Sequence, residues 1–166
     1  AYQDSVGTVA TEGFVLDADG VLWRIDLTDK NPRKDEPLAG WTVRPFHDLF
    51  WDSGPSEAET TYERPILSLD SQRRLVIIVG TGDTDNFEKP TVKNRIVSLT
   101  EKFAANPPTR PADYGAALNW EQRVDGGNGF EDSELVTGTM ALFDGQLFAA
   151  SFISVGDPTN PCAEGL

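Results

Sequence analysis

An all-β fold of antiparallel strands is predicted by three features of the sequence. Apolar runs bounded by Gly, Pro, Asn and Asp recur along all 166 residues, the pattern of strands punctuated by turns. Helical periodicity is weak throughout. Similar strand–turn–strand pieces return after roughly 70 residues, as they do in repeat architectures. A hydrophobic content of 39% is enough for a packed core rather than a disordered chain.

The first element is "FVLDADGVLWRIDL" (14–27). Phe14, Val15 and Leu16 lead into Asp19-Gly20, a hairpin signal because the primed two-residue turns need positive φ. From Val21 onward the residues alternate. Val21, Trp23, Ile25 and Leu27 share one face, and Leu22, Arg24 and Asp26 the other. The same letters suggest a calcium loop. Counted from Asp17, however, Val21 stands where an oxygen ligand is needed, and Gly20 comes two positions early. The stretch reads as a hairpin.

The next strands are "RPILSLD" (64–70) and "RLVIIVGTG" (74–82), joined by a polar turn at Ser71 and Gln72. "RIVSLT" (95–100) follows a longer polar loop, and "ALNWEQRV" (117–124) follows the Pro-rich stretch 107–111. "VTGTMALFDGQLFAASFIS" (136–154) is a second hairpin, turning at Asp144-Gly145. Helix is expected only as a turn or two near 46–51 or 99–104.

"PILSLDSQRRLVIIVGTG" aligns with "GTMALFDGQLFAASF", and "GVLWRIDL" with "NRIVSLT". Repeated strand units without helices predict a partial β-propeller of about two to three blades with long loops. Residues 1–50 supply the later strands of one blade, 64–124 a full blade, and 136–166 the start of the next. A closed propeller has four or more blades. The expectation is therefore a fragment, with the rest of the parent propeller covering its open edges.

A net charge of −13 argues against nucleic acid and against an anionic membrane, because both require clustered Lys and Arg. No apolar run is long enough for a transmembrane helix. The single cysteine, Cys162, cannot form an internal disulfide. It is either free or paired outside the chain.

Among candidate sites, "GTGDTDNFEKP" (80–90) suits a cation best. Asp83, Asp85 and Asn86, with Glu88 nearby, offer oxygens for calcium, although such residues also supply turn hydrogen bonds. "GTG" lacks the lysine and helix of a phosphate loop. "DGGNGFEDSE" (125–134) reads as a surface loop. His47 adjoins Asp48, but no "GxSxG" elbow accompanies them. One His and one Cys are also too few for zinc. Trp23 and Trp120 are expected in the core and Trp51 at the surface. No constellation for acid–base or nucleophilic chemistry stands out, so no catalytic residue is expected.

Several pieces, in order, resemble the C-terminal β-propeller of the PilY-type type IV pilus tip adhesins. "LDADGVLWRIDL" resembles the family's "GxLWRxDL" strand, and "WTVRPFHDLF" its tryptophan strand. "RPILSLDSQRRLVIIVGTGD" resembles its "QPI…P…vvVGTGk" hairpin. "NWEQRVDGGNGFEDSELVTGTMALFDGQLFAASF" resembles its "GWyldL…GERVvt.P.v..g.viFtt" segment, and "GDPTNPCAEG" its "DPCsaGG". The resemblance implies an extracellular location at the pilus tip of a Gram-negative bacterium. It also implies contact with minor pilins and a possible host or surface ligand, and roles in pilus assembly, adhesion and twitching motility. The sequence departs from the family in three places. The aspartate-rich calcium loop before the "LWR" strand is replaced by "YQDSVGTVATEG", with Asp4 alone. Asp83 replaces the lysine after "GTG", and "NPCAEGL" replaces "DPCsaGG". The rival readings are a quinone-dependent dehydrogenase-type propeller and an outer-membrane assembly scaffold.

Overall fold

A computed structural model describes residues 10–27, 40–49, 61–83, 94–102, 114–123 and 134–153. Among these residues the chain is all-β, with antiparallel sheets and no helical element. β1 (Glu12–Leu16), β2 (Val21–Asp26) and β3 (Thr42–Asp48) form a three-stranded meander. β4 (Ile66–Leu69), β5 (Leu75–Gly80), β6 (Arg95–Glu101) and β7 (Ala116–Arg123) form a four-stranded sheet in chain order. β8 (Glu134–Val136), β9 (Ala141–Phe143), β10 (Gln146–Phe148) and β11 (Ser151–Ile153) make two nested pairs, β9 with β10 and β8 with β11. Of the helical turns expected near 46–51 and 99–104, Phe46–Asp48 and Leu99–Glu101 are strand, while Leu49 is helical where the description stops.

The four-stranded sheet is the middle layer. β5 reads "LVIIVG", an apolar run without polar alternation, which suits a strand buried on both faces. Leu75, Ile77 and Val79 point to one side, where they join Val97, Leu99 and Ala116 against Leu22, Phe46 and Leu49 of the first meander segment. Phe14 meets Phe46 edge to face, with ring centroids 5.3 Å apart. Ile78 and Ile96 point to the other side, against Val136 and Met140 of the hairpin segment. Three layers therefore share two apolar seams.

Two bulges adjust this packing. The β2–β3 register shifts between Leu22 and Trp23, so that Leu22 faces His47 and Trp23 faces Pro45. Phe46 is the extra residue, and Phe46 and His47 are both buried. Pro45 is tolerated because β3 is an edge strand with a bulge. The β6–β7 register shifts between Ser98 and Leu99, leaving Asn119 as the extra residue. Its amide is held by Thr100 at 2.7 Å and Ser98 at 3.3 Å.

The turns differ from expectation in one respect. Asp144 and Gly145 both take positive φ, 48° and 74°, as the two-residue primed turn requires. At Asp19-Gly20 only Gly20 does, with φ 85°. Gly20 N–H donates to the Asp17 carbonyl at 3.1 Å, giving a three-residue loop that ends in a left-handed residue. Asp70 to Arg74 repeats this geometry, with Arg73 at φ 63° in the place of Gly20. The matching turns are Asp17 and Asp70, 53 residues apart, and not the pair spaced by roughly 70. Among the described residues β2 is the second strand of its sheet and β6 the third of its own.

"GTG" (80–82) marks a close approach of two segments. A Cβ on Gly82 would lie 2.9 Å from the Val136 carbonyl oxygen and 3.0 Å from its nitrogen, both backbone atoms that cannot swing aside. At Gly13 the nearest atom would be a comfortable 3.8 Å away. Gly82→Ala is expected to lower the stability read by urea unfolding by about 1–3 kcal/mol, as overpacking does, whereas Gly13→Ala leaves it nearly unchanged.

Candidate functional site

Asp83, the first of the cation candidates, is half-buried just beyond β5 and Gly82. Asp85 and Asn86 lie outside the described residues, as do Glu88, Trp51 and Cys162. Among the described residues no three His, Cys, Asp or Glu side chains are grouped to hold a metal. Asp17 has another use. Its carboxylate accepts from the N–H groups of Asp19 at 3.1 Å and Val21 at 2.8 Å, and from the Trp23 indole at 2.7 Å. Asp70 accepts in the same way from Gln72 and Arg74 N–H, both at 2.8 Å, and from Arg74 Nε at 2.7 Å. Backbone donation from Arg74, aided by its guanidinium and by Gln72, holds the Asp70 carboxyl below the usual carboxylate range. Each aspartate is the anchor of its turn.

The first seam is pinned by two arginines that reach across it in opposite directions. Arg24 of β2 donates to Glu12 of β1 and to Glu101 at the end of β6. Arg95 of β6, only 1% exposed, donates to Glu121 of β7 at 2.5 Å and to the Leu49 carbonyl beyond β3 at 2.9 Å. Both sheets thus contribute a guanidinium and receive one. The sequence shows alternation on β2 but not which face is inner. The packed face carries Leu22, Phe14 and Arg24, while the more apolar face with Trp23 and Ile25 looks outward, half-buried. Arg95 stands at the head of "RIVSLT", a run buried throughout. An arginine heading so apolar a segment is the signal that could have revealed it, since a buried guanidinium needs partners.

The second seam is polar at one end. Asn94 Nδ2 donates to the Glu134 carbonyl at 2.8 Å, and Val136 N–H donates to the Thr81 carbonyl at 3.2 Å. Thr81 Oγ1 accepts from Arg95 N–H at 2.8 Å, and Thr61 Oγ1 donates to the Gly80 carbonyl at 2.7 Å. Residues 82–94 and 125–135 therefore have their roots tied together at one end of the stack.

His47 is buried on β3 opposite Leu22, a packed position. Trp120, expected in the core, is 44% exposed. It lies on β7, which among the described residues pairs with β6 alone. Burial, with the Asp48 charge adding to it, pushes the Tyr114 phenol upward. The polar side chains at the seams are engaged with one another or with backbone, an arrangement that holds segments together. No family model matches this chain, and neither a curated protein nor a solved structure does. The family resemblance therefore rests on the sequence motifs.

Arg95→Met is expected to destabilise the chain by about 3 kcal/mol in urea unfolding, because it leaves the Leu49 carbonyl without its buried donor and Glu121 without its cation. Adding Glu121→Gln recovers only part of this loss, since the carbonyl remains unpaired.

Proposed function

We propose that this chain is a non-catalytic binding and scaffold part of a β-propeller in a PilY-like type IV pilus tip protein, displayed outside the cell. In this reading each sheet is a blade or part of one, and the loops present contact surface to minor pilins or a surface ligand. The observation that carries it is the tying of the 82–94 and 125–135 roots through Asn94 and Glu134. The two segments start from neighbouring points of the stack, and loops on a rigid frame are where binding residues concentrate. Calcium at Asp83, Asp85 and Asn86 belongs to the same proposal, as an ion ordering that surface.

The ends of the stack support the ring. On the outer face of the meander Val15 is 50% exposed and Val43 61%, with Trp41 beside them at 44%. At the opposite end, on the hairpin, Phe143 is 75% exposed and Phe148 54%. Apolar surface at both ends of a sheet stack suits further sheets packed on either side.

Two tests follow. In the full-length parent, replacing residues 84–93 by a Gly/Ser segment is expected to abolish binding to minor pilins while leaving the thermal transition in place. Full retention of binding, together with normal piliation after deletion of the gene, overturns the reading. Val43→Asp is expected to leave the unfolding midpoint of the isolated chain nearly unchanged but to lower that of the parent, where a neighbouring blade would bury the new charge. Equal effects in both would count against the ring.

A further inference from the structure

We propose that Glu12, Arg24 and Glu101 form an acid-set clasp, in which uptake of one proton as the pH falls from neutral tightens the seam between the three-stranded and four-stranded sheets. The geometry is two carboxylates on one guanidinium, with Arg24 Nη2 donating to Glu12 and Nη1 to Glu101. The side chains of Arg24, Glu12 and Glu101 are 16%, 12% and 11% exposed. Glu12 and Arg24 belong to one sheet and Glu101 to the other, so the cluster spans the seam. With both carboxylates ionised it carries one surplus negative charge in a place largely closed to water, and such a charge is costly to bury. A single proton removes the surplus and leaves one balanced Arg–Glu pair across the seam.

The surroundings assign that proton to Glu12. From β2, Asp26 is its register partner and adds a second negative charge. From β3, Arg44 stands opposite Arg24 but is exposed. Beyond β6, Lys102 follows Glu101 and is also exposed. From β7, the residue opposite Glu101 is Ala116, which brings no charge. Burial holds the Glu12 carboxyl above its ordinary range; Arg24 pulls it down, and Glu101 and Asp26 push it up again. The folded chain therefore binds this proton more tightly than the unfolded chain. The resulting stabilisation is complete below the unfolded-state pKa and is lost as pH rises through the folded-state pKa.

A chain of net charge −13 also gains general stability on acidification as its self-repulsion falls. The test therefore compares the wild type with Glu12→Gln, which is neutral at every pH. Urea unfolding is followed at constant ionic strength from neutral into mild acid. The folded-to-unfolded ratio of the wild type is expected to rise more steeply than that of the variant, by up to about tenfold per pH unit. A carboxyl carbon NMR titration supplies the second readout. Glu12 is expected to titrate above the ordinary glutamate range, and Glu101→Gln to bring its midpoint down. Coincident slopes for wild type and Glu12→Gln, or a Glu12 midpoint at or below the ordinary range, overturn the clasp.

Discussion

The strand pair β5–β6 buries apolar side chains on both faces, and the rest of the arrangement answers to that. Ile77, Val79, Val97 and Leu99 need a cover on one side, and Ile78 and Ile96 on the other. One layer cannot supply both. The chain supplies the three-stranded meander before the pair and the hairpin after it, which makes the four-stranded sheet a middle layer. Close approach on the hairpin side is possible because Gly80 and Gly82 carry no side chain against Val136. Each buried aliphatic side chain contributes roughly 1.5–3 kcal/mol relative to exposure, so these two faces outweigh any single polar contact in the molecule.

Polar contacts decide alignment instead. Apolar faces are non-directional and can slide over one another. A guanidinium with defined partners cannot. Arg24 and Arg95 cross the same seam in opposite senses, one ending on Glu101 and the other on the Leu49 carbonyl. A slip that relieved one would break the other. The acid excess of the chain supplies carboxylates for both, and at Arg24 it supplies one more than charge balance needs. The acid excess of the chain therefore enters an interior joint.

Much of the fold was legible because strand signals are local. The apolar runs gave the strands of the four-stranded sheet to within two residues at their ends, and Asp144-Gly145 gave its own turn. What was not legible depends on partners distant in sequence or on side chains competing for backbone. Asp19-Gly20 has the letters of a primed turn, yet the Asp17 carboxylate captures the N–H groups of Asp19 and Val21 and selects the longer loop. No residue of "DSQRR" is a glycine, but Asp70 imposes the same loop and forces Arg73 to positive φ. The inner face of β2 could not be chosen by hydrophobicity, because the outer face is the more apolar one. Trp120 read as core by residue type and is exposed on β7. Of the candidate cation site, only Asp83 falls among the described residues.

The separation of these parts bears on how such a frame can carry variable surface. Thr81, Asn94, Glu134 and Val136 bond to one another through backbone carbonyls and N–H groups as well as through side chains. Backbone bonds are indifferent to the sequence of the segments that follow them. The Val136–Thr81 bond is therefore kept when those segments change, whereas the bond to the Glu134 carbonyl requires Asn94 itself. Among the described residues the apolar seams are built mainly from strand faces, with Leu49 and Met140 added from just outside the strands. Stability resides in the seams, and position in the tied roots. A frame of this kind fixes where its loops begin and end, and loops on a rigid frame can carry binding or catalytic residues alike.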